Sequence, residues 1–196
     1  MAAGYVDRVL WVGLGTGRTE SRDMGDGFWR TYLGGSGLGT RILYDEVPPG
    51  VDPLGPDNCL VFAVGPYQRS GLPGSAKWAM VSKSPLTGTF AVSTGGAEWG
   101  VRLKGTGREG IVVKGKADCP SLLWVTEQGI EIRPAPSLWG RDAVETVALA
   151  CREVGDEKAS VVTIGPAGEL PRQAPSDIPW AALQAWPASE RGEGYR

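Results

Sequence analysis

An α+β domain, built mainly from antiparallel β-sheets with a few short helices, is predicted by three features of the sequence. Short runs of β-branched and aromatic residues follow one another in hairpin order. Helical periodicity is confined to a few brief stretches, so strands and helices do not alternate as they do around a parallel sheet. The 30 glycines in 196 residues follow no collagen-like period and imply many tight turns and close backbone approaches.

Residues 8–12 (RVLWV) have strand character, and GLGTG at 13–17 turns them toward a second extended run. The GxGxG invites a dinucleotide-loop reading. The RTESRDMGDG that follows carries no apolar helical stripe, however, and that loop needs a helix N-terminus facing the pyrophosphate, so a hairpin turn is the better reading. From 27 to 46, the spacing of Phe28, Tyr32, Leu33, Leu38, Ile42 and Leu43 suits two short helices around a glycine joint at Gly34, Gly35 and Gly37. VPPGVDPLGPDN at 47–58 is a loop, because its prolines exclude both helix and central strand.

CLVFAV at 59–64, WAMVS at 78–82, TFAV at 89–92, IVVK at 111–114, LLWVT at 122–126, IEIR at 130–133 and SVVTI at 160–164 read as strands. STGGAEWG at 93–100 leads into a short helix over 98–104, and 141–154 is the clearest helix, stopped by Gly155. One domain over 1–168 is expected, followed by a loosely ordered Pro/Ala-rich tail over 169–196 that carries Trp180 and Trp186. Trp11, Trp78, Trp99, Trp124 and Trp139 are read as core residues, and the three cysteines as buried small residues.

The composition narrows function. With 41% hydrophobic residues, 21% charged residues and a net charge of −2, the chain has no basic excess for nucleic acid or anionic membrane. No segment approaches the roughly 20 apolar residues of a membrane span, and a cytoplasmic location is expected. Histidine is absent, which removes the commonest general base and every Ser-His or Cys-His pair. Cys59, Cys119 and Cys151 are widely spaced and contain no CxxC, so an iron–sulfur cluster would need ligands from elsewhere.

Several motifs occur in a fixed order: LGGSGLG at 33–39, VPPGVDPLGPDN at 47–58, FAVGP at 62–66, SKSPLTGTF at 82–90, GIVVKGKAD at 110–118, LWG at 138–140 and IGPAGE at 164–169. Together they resemble the N-terminal domain of the aldehyde ferredoxin oxidoreductase family. The resemblance implies a β-rich base for a tungstopterin cofactor, in which two pterin dithiolenes hold tungsten (or molybdenum). A 4Fe-4S cluster lies close by, and aldehydes are oxidised to carboxylic acids with ferredoxin taking the electrons.

The cofactor-binding positions carried over by the resemblance are Lys77, Ser93, Thr94, Gly95 and Gly96; it gives no catalytic side chain and no metal ligand. Lys77 stands where the family has an arginine, Ser93 where asparagine is common, and Ser36 where LGGRG has its arginine. Lysine keeps the charge but loses the planar fork. The family's later RGG segment has no counterpart here. The expectation is therefore a pterin-cradling part of the enzyme, inactive alone and completed by a partner chain that carries the cluster cysteines and substrate channel. A non-catalytic binding or assembly module, or a truncated remnant, is the alternative. Bland readings stand beside these: a surface lysine at 77, a plain strand-to-helix turn at 93–96 with Thr94 as N-cap, and a rigid turn in SKSPLTG.

Overall fold

A computed structural model of the protein describes residues 4–169. These residues gather into two compact units, divided between Pro136 and Ser137. The first unit holds a six-stranded sheet of order β2-β1-β6-β3-β4-β5. Its strands are β1 (Arg8–Gly13), β2 (Thr19–Asp23), β3 (Cys59–Ala63), β4 (Trp78–Lys83), β5 (Phe90–Gly95) and β6 (Gly110–Lys114). β1 and β6 run parallel and the sheet's other neighbours antiparallel, so the architecture is the expected α+β. A separate hairpin pairs β7 (Ser121–Val125) with β8 (Ile130–Pro134). Arg108 ties that hairpin to the turn before β6, its Nη1 donating to the carbonyls of Thr106 (2.9 Å) and Thr126 (2.6 Å).

The glycine joint divides two helices, α1 (Asp26–Tyr32) and α2 (Gly35–Glu46). Leu33 and Gly34 both have positive φ, which ends α1 and re-aims the chain. A Cβ at Gly34 would stand 2.8 Å from the carbonyl oxygen of Val64, and one at Gly39 would stand 2.5 Å from Val81 Cγ2. The small residues of LGGSGLG thus let α2 lie directly on β3 and β4. Leu38, Ile42 and Leu43 of α2 meet Val9, Trp11, Val61, Ala63, Val81 and Val112 of the sheet in one core. Each of the Val, Leu and Ile side chains among them contributes roughly 1.5–3 kcal/mol on burial.

Trp29, absent from the expected core list, is fully buried there. Tyr5 stacks on it at 4.8 Å between centroids, and its indole nitrogen donates to the Asp7 carboxylate, which also accepts from the backbone of Met24 and Gly25. Residues 4–7 are therefore bound to the body of the unit.

A second tie lies between α3 (Glu98–Gly105) and β6. Lys104 Nζ sits 2.9 Å from Glu109 Oε1, with side-chain exposures of 7% and 0%. The ammonium also donates to the carbonyls of Gly4 and Gly65, and Glu109 accepts from Val6 N–H at 2.7 Å. Burial pushes the Glu109 carboxyl above the usual range, an effect that Val6 N–H and Lys104 only partly offset. The Cys59 thiol, buried in the core, is pushed up to about 12.

In the second unit, α4 (Ala143–Val154) begins where Asp142 accepts from Val144 N–H and Glu145 N–H and ends at Gly155 in the left-handed region; a short helix, α5 (Pro166–Glu169), follows. Three expectations are corrected. Residues 160–164 form no strand, because an extended segment becomes one only with a neighbour to pair with, and none pairs with it among the described residues. Trp139 is 51% exposed, since it follows a single 3-10 turn rather than lying within a packed element. Cys119 is exposed too, in the loop before β7. The tail expected over 169–196, with Trp180 and Trp186, lies outside the described residues save for Glu169, which closes α5.

Two outcomes are expected. Lys104→Met leaves a buried carboxylate unpaired and costs about 3–5 kcal/mol in urea unfolding at pH 7, while Lys104→Met with Glu109→Leu recovers most of it. Because the folded-state pKa of Glu109 lies above its unfolded value, the penalty in the single variant shrinks as pH falls through that raised pKa. Brief alkylation of the native protein followed by peptide mass spectrometry labels Cys119 and spares Cys59.

Candidate functional site

The residues singled out at the sequence level meet where β4 begins and β5 ends. Antiparallel pairing sets Trp78 opposite Gly95, Ala79 opposite Thr94 and Met80 opposite Ser93. The chain then passes through Gly96 and Ala97 into α3, whose N-cap is Ala97 at φ 60° with no side-chain cap. Thr94 is thus part of a strand, and its reading as an N-cap is overturned.

Trp78 holds this corner together. A Cβ at Gly95 would lie 2.3 Å from the Trp78 ring, so the indole occupies the space that glycine leaves. Its Nε1 donates to the Gly96 carbonyl at 3.1 Å, and its ring belongs to a cluster with Phe62 and Trp99. The absence of a side chain at Gly95 therefore has a packing cause inside the chain.

Lys77 is exposed and comes over the turn: a Cβ on Gly96 would stand 3.5 Å from its Nζ. Among the described residues Lys77 makes no ion pair. Residues alternate along β5, with Ser93 and Gly95 half-buried and Thr94 exposed on the other face. The five carried-over positions accordingly share one corner without sharing one face. Ser36, at the start of α2, is exposed as well.

SKSPLTG behaves as a rigid turn. Lys83 Nζ donates to the Val51 carbonyl at 2.6 Å, Ser84 Oγ accepts from Thr87 N–H, and backbone bonds join Ser84 to Thr89 and Gly88 to Ser84. Its polar groups are engaged in holding the connection between β4 and β5.

Residues 9–174 match the family described as "Aldehyde ferredoxin oxidoreductase, N-terminal domain". The chain belongs to that family. Over 166 residues it is 37% identical to the tungsten-containing aldehyde ferredoxin oxidoreductase of Pyrococcus horikoshii and 39% identical to that of Pyrococcus furiosus, in each case over 85% of this chain and 27% of the relative. The WOR-like subunit of an aliphatic sulfonate oxidoreductase from P. furiosus is 33% identical over 78% of this chain and 25% of its own length. Among solved structures, the active site complex BamBC of benzoyl coenzyme A reductase, bound to 1,5-dienoyl-CoA, superposes with a TM-score of 0.83 at 34% identity, over 86% of this chain and 26% of that one. The chain thus spans about a quarter of the length of these relatives.

Members of the family named as tungsten-containing imply a tungstopterin. The corner offers an ammonium, a half-buried hydroxyl and a turn of small residues, which suits an anionic pterin phosphate. It does not suit the metal or a cluster: no group of three or more His, Cys, Asp or Glu is placed to hold a metal ion among the described residues. Cys59 is buried in the core against the α2 face of the sheet, away from this corner.

Gly95→Ala is expected to destabilise the protein by about 1–3 kcal/mol in denaturant unfolding, because the added methyl group must displace the Trp78 ring.

Proposed function

We propose that this chain cradles pterin in a tungsten (or molybdenum) aldehyde:ferredoxin oxidoreductase, Lys77, Ser93, Thr94, Gly95 and Gly96 providing the contacts. The observation that carries the reading is the exposed Lys77 ammonium standing over the Gly96 turn, in a chain of this family. Lys77 attracts and orients the phosphate, Ser93 offers a hydroxyl from one face of β5, and Thr94 contributes through its main chain or from the other face. When bound, the tungstopterin supplies the oxygen-atom and electron chemistry of aldehyde oxidation. The side chains of this chain position the cofactor and screen it from water.

Polypeptide carrying the 4Fe-4S cysteines and the substrate channel completes the enzyme, on a partner chain or in continuation of this one, and ferredoxin receives the electrons in a cytoplasmic setting. The two sheet edges support such a neighbour. β2 is exposed throughout and carries Glu20, Arg22 and Asp23, charges that discourage pairing, whereas β5 exposes Phe90 and Val92 along an edge with no charged residue.

A second reading, a non-catalytic module or remnant, is favoured by serine at 36 and 93 and lysine at 77, each of which weakens polar contact with an anionic cofactor.

The deciding experiment is metal, iron and pterin analysis of the native protein purified with whatever accompanies it. Tungsten or molybdenum with pterin and iron, in a complex rich in cysteine, is the expected result; a colourless, metal-free chain overturns the enzyme reading. Within such a complex Lys77→Met is expected to lower retained pterin about tenfold, the worth of one charge-assisted contact.

A further inference from the structure

Gln68 is 3% exposed and lies in the loop after β3, where its own N–H closes a turn onto Gly65. Its amide nitrogen donates to the Lys77 carbonyl at 2.8 Å. A Cβ at Gly100, in the first turn of α3, would stand 2.6 Å from that same nitrogen and 3.1 Å from Trp78 Cβ. The amide is therefore wedged between the start of β4 and the start of α3. The two segments it touches are those that bring Lys77 and the Gly95–Gly96 turn together. Its carbonyl oxygen is buried with no hydrogen-bond partner among the described residues.

A buried amide with one half unsatisfied is a poor choice if only volume were needed, since an apolar side chain of the same length would fill the space without leaving an acceptor unpaired. The half that is satisfied acts on the Lys77 carbonyl, next along the main chain to Trp78, whose indole in turn holds Gly96. We infer that Gln68 is a positioning residue for the anion cradle, fixing the Lys77 main chain so that the ammonium stands over the Gly96 turn. It touches no ligand itself. The inference rests on the reading of Lys77 and Gly96 as phosphate contacts.

The test uses inorganic pyrophosphate as the probe and amide spectra of the 15N-labelled full chain, following Gly95, Gly96 and the Trp78 indole. Wild type is expected to show saturable shifts at Gly95 and Gly96. In Gln68→Met, which keeps the volume and removes the donor, hydrogen exchange at the Trp78 indole accelerates and the pyrophosphate dissociation constant rises about tenfold, as expected for one lost hydrogen bond. The indoles of Trp11 and Trp29 keep their positions. Gln68→Leu, which withdraws the donor without adding a charge, has the same effect and serves if the methionine variant does not fold. Shifts in wild type with an unchanged constant in both variants overturn the inference alone. The absence of any pyrophosphate response at Gly95 and Gly96 in wild type overturns the cradle reading, and the inference falls with it.

Discussion

β4 is the strand on which this unit depends, because it is buried on both faces and almost no space separates it from its neighbours. On one face Val81 receives α2 at Gly39, an approach that a single methyl group on the helix would obstruct. On the other face Trp78 fills the spaces left by Gly95 across the strand pair and by Gly100 in α3. Interiors packed at this density transmit small displacements rather than absorbing them. The elements around β4 are consequently fixed relative to it, and through it to one another.

This arrangement bears on function through geometry more than through reactive groups. The corner where β4 begins and α3 starts holds an exposed cation, Lys77, close to a turn of small residues. The acid that starts α3, Glu98, is exposed and pairs with Arg102 at 3.3 Å. The titratable groups with clear shifts lie elsewhere and hold the fold. Glu109 pairs with Lys104 under the N-terminal segment. At Glu46, burial alone would raise the carboxyl pKa, but Lys114, the Trp11 indole and Arg22 together lower it.

Glycine has two separate uses here that a sequence motif does not distinguish. In LGGSGLG, Gly34 and Gly39 serve the seat of α2 on the sheet. In STGG, Gly95 accommodates Trp78, while Gly96 lies under the Lys77 ammonium with its carbonyl held by the indole. A glycine-rich string near a proposed ligand is thus partly a record of helix and aromatic packing, and each glycine has to be assigned by what a side chain there would meet.

Much of the architecture was legible in the sequence because it depends on local chemistry. Short runs of β-branched and aromatic residues marked β1 and β3 to β8, the GLGTG turn marked the β1–β2 hairpin, the glycine joint separated α1 from α2, and Gly155 stopped α4. Those signals arise from side-chain periodicity and backbone freedom within a few residues. Pairing partners and burial belong to the tertiary structure. SVVTI at 160–164 has strand composition but no neighbour to pair with among the described residues, Trp139 is exposed, and Trp29 is buried only because Asp7, Tyr5 and the sheet converge on it. The site divides in the same way. Its family and its candidate positions were readable as ordered motifs, whereas the split of Ser93 and Thr94 between faces, the role of Trp78 under Gly95 and the contact of Gln68 with Lys77 were decided by strand register and by packing between residues far apart in the chain, about which local sequence carries no information.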